Sequence, residues 1–158
     1  MKTLIVYASM HGCAKKSAEK LAEQLSPDVH IVDIKRKRPK GLDEYDRIIV
    51  GGSIHAGKIQ RKIKSFCQKN EALLRQKKLG LYLCCMEQGE KAEQQFRDAY
   101  AESLRSHAAA IGLFGGEFDF DRMGIFTRAI IKRIAKTEES VSRISYAAIA
   151  DFAAQMSE

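Results

Sequence analysis

Ser9, His11, Gly12 and Cys13 stand between an apolar run and an amphipathic run in "VYASMHGCAKKSAEKLAEQL", residues 6–25. A strand ending at Tyr7 and Ala8 and a helix starting near Cys13 leave a short turn between them. The first N–H groups of such a helix lack intrahelical partners, and the helix dipole adds partial positive charge. The turn can therefore cradle an anion such as a phosphate. Gly12 permits close backbone approach or a positive φ. Ser9 offers a hydroxyl, His11 a ring donor, and Lys15 and Lys16 positive potential. The same residues suit a plain connector, so the turn alone leaves both readings open.

Other anion chemistries leave marks that this chain lacks. It contains neither G-x-x-x-x-G-K-[ST] nor, after the first apolar run, G-x-G-x-x-G. A Cys-x5-Arg phosphatase nucleophile at Cys13 requires arginine at position 19, which is Glu19. A phospho-acceptor receiver requires acidic residues where Tyr7, Ala8 and Ser9 stand. Cys13, Cys67, Cys84 and Cys85 form no C-x-x-C pair, and the histidines are not spaced for zinc. Cys84 and Cys85 close an apolar run, where cysteine behaves as a small buried hydrophobe.

The turn must be positioned by the elements around it. Apolar runs alternate with helical patterns along the 158 residues. Strands are expected at 2–8, 30–34, 47–53, 79–85 and 109–118. Helix one carries Ala14, Ala18, Leu21, Ala22 and Leu25 on one face. Helix two presents Ile59, Ile63, Phe66 and Cys67. Helix three carries Ala92, Phe96, Ala99, Tyr100, Ser103 and Leu104. Two further helices are expected near 122–135 and 145–156. Strands two and three join through "KRKRPKGLDEYD", whose Pro39 and Gly41 allow only a short helix. Continuous apolar strands imply a parallel sheet covered on both faces. The expected fold is one doubly wound, five-stranded α/β domain over residues 1–158. In such sheets ligands bind beyond the carboxyl ends of the strands. The loops there hold residues 9–14, 53–58 and 85–88.

No run reaches the roughly 18 apolar residues of a membrane span, and the N-terminus reads as a strand rather than a signal peptide. A cytoplasmic protein is expected. Its net charge of +7 is concentrated in "KRKRPK" (35–40) and in residues 122–136. Such blocks attract anions. No aromatic residues interleave with the first block, so nucleic acid is not the expected partner. Met123, Phe126, Ile130 and Ile134 form an apolar stripe beside Arg128, Lys132 and Lys136. That helix suits either packing on the sheet or lying on an anionic membrane surface.

"LIVYASMHGCAKKSAEKLAEQL" and "EYDRIIVGGSIHAGKI", at their spacing, resemble the flavodoxin-like family over essentially the whole chain. Within it, "GGSIHAGK" and the late "DRMGIFTRAIIKRIAKTEES" are most similar to the menaquinone-dependent protoporphyrinogen oxidases of haem synthesis. The resemblance implies strand order 2-1-3-4-5 and bound FMN. It places the phosphate on Ser9, Met10, His11, Gly12, Cys13 and Ala14. It places the flavin ring between Ser53, Ile54, His55, Ala56, Gly57 and Lys58 on one side and Cys85, Met86 and Glu87 on the other. Gly57 or a neighbour is the peptide expected to reorient toward reduced flavin.

Met10, Cys13 and Ala14 stand where flavodoxins carry hydroxyls, and no Tyr or Trp is available to stack on the ring. The loop after the fourth strand, "MEQGEKAEQQ", is shorter than in the oxidases. Small flavodoxin carriers are acidic, whereas this chain is basic. Positive charge from His55 and Lys58 near the flavin favours the anionic reduced cofactor and raises its potential. His55 is the candidate catalytic residue, as donor or proton relay. The leading expectation is an oxidoreductase that takes electrons from a small anionic substrate and passes them to a quinone or another acceptor, with possible peripheral attachment at the inner membrane face. A non-catalytic electron-transfer flavodoxin and a flavin-free binding module stand as alternatives.

Overall fold

The computed structural model describes residues 1–25, 27–118 and 141–158. The helix expected at 122–136, and the membrane contact assigned to it, lie outside these residues. β1 (Thr3–Tyr7), β2 (Val29–Asp33), β3 (Arg47–His55), β5 (Lys78–Cys84) and β6 (Ala110–Leu113) form one parallel sheet in the order β2-β1-β3-β5-β6. This is the expected 2-1-3-4-5 order of five parallel strands. A two-residue strand, β4 (Lys58–Ile59), adds antiparallel to the end of β3.

The strand sequences explain their places. β1 is buried throughout, and β3 and β5 through most of their lengths, as centre strands covered on both faces. Edge strand β2 exposes His30 and Ile31. Alternate residues feed two cores. Leu4, Val6, Ile48, Val50, Leu79, Leu81 and Leu83 face one cluster. There they meet α2 (Arg61–Lys69), α3 (Glu71–Leu74), α4 (Gly89–Ala99) and α5 (Glu102–His107). Ile5, Tyr7, Ile49, Tyr82 and Cys84 face the other cluster. Their partners are α1 (Cys13–Gln24) and the C-terminal helix (Tyr146–Ser157). The period of two in the sequence is thus read out as two cores on one sheet.

Glycines make room for rings on the second face. Gly51 is paired with Tyr82 across β3 and β5, and a Cβ on Gly51 would fall 1.8 Å from the Tyr82 ring. Gly80 lies under Phe152, and Gly112 under Phe114 and Phe152. Tyr82 and Phe114 stack at 4.9 Å, and Phe152 meets both edge-on.

Several boundaries differ from the sequence expectation. Strand three runs two residues past Ser53, and Ile59 lies in β4 rather than on helix two. A close hairpin, not a loop, therefore separates strand from helix. Helix three is two helices. The backbone is extended at Tyr100 and Ala101, because the fully buried Tyr100 hydroxyl reaches the carbonyls of Tyr82 (2.7 Å) and Val50 (3.3 Å). Strand five stops at Leu113. The chain then turns through Gly115, whose φ of +79° and close approach to the Arg143 carbonyl admit no side chain. Glu117–Phe118 pair instead with Val141–Ser142. The link between β2 and β3 holds a single 3-10 turn, Leu42–Glu44. The C-terminal helix begins as expected, with the Ser145 hydroxyl accepting from Ala148 N–H.

Candidate functional site

α1 starts at Cys13, directly after a Gly12 held at φ +95°, and no side chain caps it. Left-handed φ at this junction is open to glycine without strain. The Ser9 hydroxyl accepts from Gly12 N–H at 3.0 Å and closes the turn on itself. No acidic residue sits in the first turn of the helix. Lys35, arriving from the end of β2, donates its Nζ to the Ser9 carbonyl at 3.0 Å. The Tyr82 hydroxyl donates to the Ala14 carbonyl at 2.8 Å, which ties the first turn of α1 to β5.

His11 completes this turn. Its Nε2 is buried with no hydrogen-bond partner. A buried polar atom of this kind is costly to leave unpaired, and His11 lines the cleft beside the start of α1. Burial holds His11 below the ordinary imidazole pKa, and His55 and Lys35 push it further down. The two imidazole rings meet edge-on at 6.0 Å.

Below about 6.5 the unfolded chain takes up the His11 proton before the folded one does, so stability falls as pH falls through that window. Denaturant melts between pH 7.5 and 5 should show this slope, and His11→Asn should flatten it. An anion bound at the turn should raise the His11 pKa, which a proton NMR titration of the ring with and without ligand reads directly.

His11, Cys13, Ser53, Ile54, Cys85 and Met86 line one cleft of about 40 Å³, together with Cys84 and Gly116. The three expected loops therefore converge. Other candidates lie around it. Met10 and His55 are exposed, as are Ala56, Gly57, Lys58 and Glu87. Ala14 is fully buried, so it offers only backbone. Burial raises the Cys84 and Cys85 thiols above the ordinary cysteine value and pushes Cys67 up to about 12. These thiols stay protonated, as expected for packing residues.

Residues 55–58 form a two-residue hairpin with positive φ at both central positions, Ala56 (+49°) and Gly57 (+79°). This is the pattern of a type I′ turn. Among the described residues, Ala56 is the one non-glycine with positive φ. Such a conformation costs an L-residue roughly 1 kcal/mol. Ala56→Gly should therefore raise stability by about 0.5–1 kcal/mol, measured as the shift in a urea midpoint.

Four contributors escaped the sequence reading: Lys35, Gln60, Cys84 and Gly116. Gln60 is the clearest. Its Oε1 accepts from Ser53 N–H at 3.0 Å, and its Nε2 donates to the Ala8 carbonyl at 3.1 Å and the Ser53 hydroxyl at 2.7 Å. It braces the ends of β1 and β3 beside the cleft. A polar residue directly after an apolar strand residue was its only signal. Gln60→Ala should cost about 2 kcal/mol, as three partners lose one side chain, and should loosen the cleft, read as faster amide exchange at Ala8 and Ser53. A Cβ at Gly116 would lie 2.5 Å from Met86 Sδ and 3.0 Å from the Cys85 backbone, so the glycine gives Met86 its present place in the cleft.

Sheet order, crossovers and a cleft over the carboxyl ends of β1, β3 and β5 define a flavodoxin-like, doubly wound α/β protein. The flavodoxin domain family matches residues 4–145, and the chain belongs to that family. Its fold is similar to that of oxidised flavodoxin 1 from Bacillus cereus, with a TM-score of 0.61 and 19% identity over 99% of this chain and 97% of that one. It is also similar to the flavodoxin of Streptococcus pneumonia TIGR4, with a TM-score of 0.60 and 17% identity over 99% and 97%. An uncharacterized protein of Methanocaldococcus jannaschii is 34% identical over 70 residues, which is 44% of this chain and 45% of that relative. The match thus spans less than half of that relative's length. Among the described residues no helix is long and apolar enough to cross a membrane.

Proposed function

We propose that the protein binds FMN at the cleft and works as an electron-transfer flavoprotein. The observation that carries this reading is the uncapped start of α1 beside a buried, unpartnered His11 Nε2, at the carboxyl ends of the central strands. The residues fit the cofactor. Backbone N–H groups following Gly12, with His11 and Lys35, would hold a phosphate. Ser53–Lys58 and Cys85–Glu87 would flank the ring. The cleft, at about 40 Å³, is smaller than a tricyclic ring, so the ring would rest against these loops at the cleft mouth rather than inside it. When bound, FMN supplies one- or two-electron redox chemistry.

This chain's own residues set the surroundings. Lys58 brings positive charge and His55 an N–H donor to the mouth of the cleft, which favours an anionic reduced cofactor. His55 is the proposed proton donor or relay, because its exposed ring can exchange with water beside His11. The hairpin through Ala56 and Gly57 holds a backbone carbonyl there in a conformation already under strain.

A finer reading makes the protein an enzyme resembling the menaquinone-dependent protoporphyrinogen oxidases, taking electrons from a small anionic substrate and giving them to a quinone. The net charge of +7 favours it over a carrier that docks on basic partners. An anaerobic reductive titration of FMN-loaded protein separates the two. Two well-separated one-electron steps at low potential indicate the carrier. A single two-electron step, lowered in potential by His55→Gln, indicates the enzyme. A protein that takes up no FMN overturns both.

A further inference from the structure

A second concavity lies apart from the cleft. It measures about 500 Å³ and runs between the segment that follows β2 and helix α2. Six cations line it: Lys35, Arg36, Lys37, Arg38, Lys62 and Lys69. Among the described residues, no carboxylate lines it. Four of the six come from the "KRKRPK" block, which the flavin reading leaves without a role apart from Lys35.

The groove is built rather than a chance cluster of surface lysines. Asp33 accepts from Lys35 N–H at 2.9 Å, and its carbonyl accepts from the N–H groups of Arg36 and Lys37, both at 3.0 Å. Lys62 Nζ, from α2, donates to the Lys35 carbonyl at 3.3 Å and ties the two walls together. Asp33 also lies 3.7 Å from Arg36 Nε. Among the described residues, Lys37, Arg38, Lys62 and Lys69 have no carboxylate partner. The lining is not only charged. Pro39 and Phe66 are buried, and Ile34 and Leu42 are half-buried, so an apolar floor lies beneath the exposed cationic rim.

A cleft of one charge sign concentrates field and draws counter-ions. Its volume falls within the range of roughly 300–1,000 Å³ that small-molecule sites occupy. A bare phosphate uses the rim but not the floor, and a neutral apolar molecule uses the floor but not the rim. We infer that the groove between residues 34–39 and α2 is a second ligand site, for an organic polyanion with a flat or apolar body and two or more carboxylate or phosphate groups. It adjoins the Ser9–Ala14 turn through Lys35, whose Nζ meets the Ser9 carbonyl, so an occupant sits beside the flavin site and shares only Lys35 with it. The inference does not depend on FMN binding.

The test is a nitrogen-15 NMR titration, run on both FMN-loaded and FMN-free protein, with three probes. ATP carries phosphates on an aromatic body. Naphthalene-1,4,5,8-tetracarboxylate carries carboxylates on one. Pyrophosphate carries charge without a body. The expected result is saturable shifts at residues 34–42 and 62–70 in both forms, confined to them when FMN fills the turn, with ATP or the tetracarboxylate at least tenfold tighter there than pyrophosphate. Whichever of the two is tighter identifies the anionic group. Arg38→Glu with Lys69→Glu should weaken that probe at least tenfold. Arg75→Glu with Lys91→Glu, an equal charge change on exposed residues elsewhere, should weaken it less than twofold. All four are exposed, and circular dichroism checks that each variant is folded. Shifts spread over every basic surface, shifts at residues 9–14 with none at 34–42 and 62–70, pyrophosphate binding the groove as tightly as the larger probes, or equal weakening by both double variants would each overturn the inference. Failure of FMN to bind would leave the FMN-free arm intact and count only against the flavin reading.

Discussion

Gly51→Ala should destabilise the protein by about 3 kcal/mol, at the upper end of overpacking costs. For a chain of this size that lowers the melting temperature by roughly 6–12 °C. The reason is the register of β3 and β5. Gly51 sits opposite Tyr82, and an added Cβ would lie 1.8, 2.1 and 2.3 Å from three atoms of that ring. Tyr82 cannot swing away cheaply. Its ring is fully buried, stacks on Phe114, and meets Phe152. Its hydroxyl holds the Ala14 carbonyl at the first turn of α1. Moving the ring therefore disturbs the core and the first turn of α1 together. Thermal melts of Gly51→Ala alone and combined with Tyr82→Leu check this. The double variant should recover part of the loss, because the leucine vacates the ring's volume. Equal destabilisation in both would show that the contact is not the cause.

The second large effect is expected at the other end of the sheet. Arg47 is buried to 2% exposure at the start of β3. Its Nε donates to Thr3 Oγ1 at 2.9 Å and its Nη1 to the Met156 carbonyl at 2.9 Å. A guanidinium at the last turn of the C-terminal helix also complements that end of the helix dipole. Arg47→Ala removes charge-assisted bonds worth about 1.5–3 kcal/mol each and leaves buried acceptors unpaired. A loss of about 3–4 kcal/mol is expected, with a smaller loss for Arg47→Lys, which keeps the charge but not the fork. FMN affinity in Arg47→Lys should be unchanged, because Arg47 lies at the opposite end of the strand from the cleft. Urea denaturation and flavin fluorescence separate the two properties. A variant that loses cofactor affinity without losing stability would contradict this division of the molecule.

The sheet was legible in the sequence because its central strands need cover on both faces. Thr3–Tyr7, Arg47–Val50 and Leu79–Cys84 are apolar almost without interruption, and that pattern fits few arrangements other than a parallel sheet between helix layers. The turn at Ser9–Ala14 was legible for a related reason. A strand, a glycine and a helix start in close succession leave backbone donors with nowhere to go. What was not legible depends on residues distant in sequence. Nothing in "VGGS" shows that Gly51 serves the ring of Tyr82, which lies in another strand. Arg47 reads as an exposed charge at a strand start, yet its partners are Thr3 and Met156. Gln60 reads as a helix-flanking polar residue, yet it fastens two strand ends at the cleft. The hairpin at Ala56–Gly57 was missed because alanine does not advertise a positive φ.

A turn that holds the phosphate of FMN must distinguish that cofactor from its dephosphorylated form. The most direct test is a fluorescence titration of the purified protein with FMN and, separately, with riboflavin, which lacks the phosphate. Saturable FMN binding at tens of micromolar or tighter is expected, equivalent to about −6 kcal/mol or better. Riboflavin should bind at least tenfold more weakly, and Gly12→Val should remove that difference. Equal affinity for the two flavins, or no saturable binding of FMN, would contradict the phosphate assignment and reduce the turn to a connector.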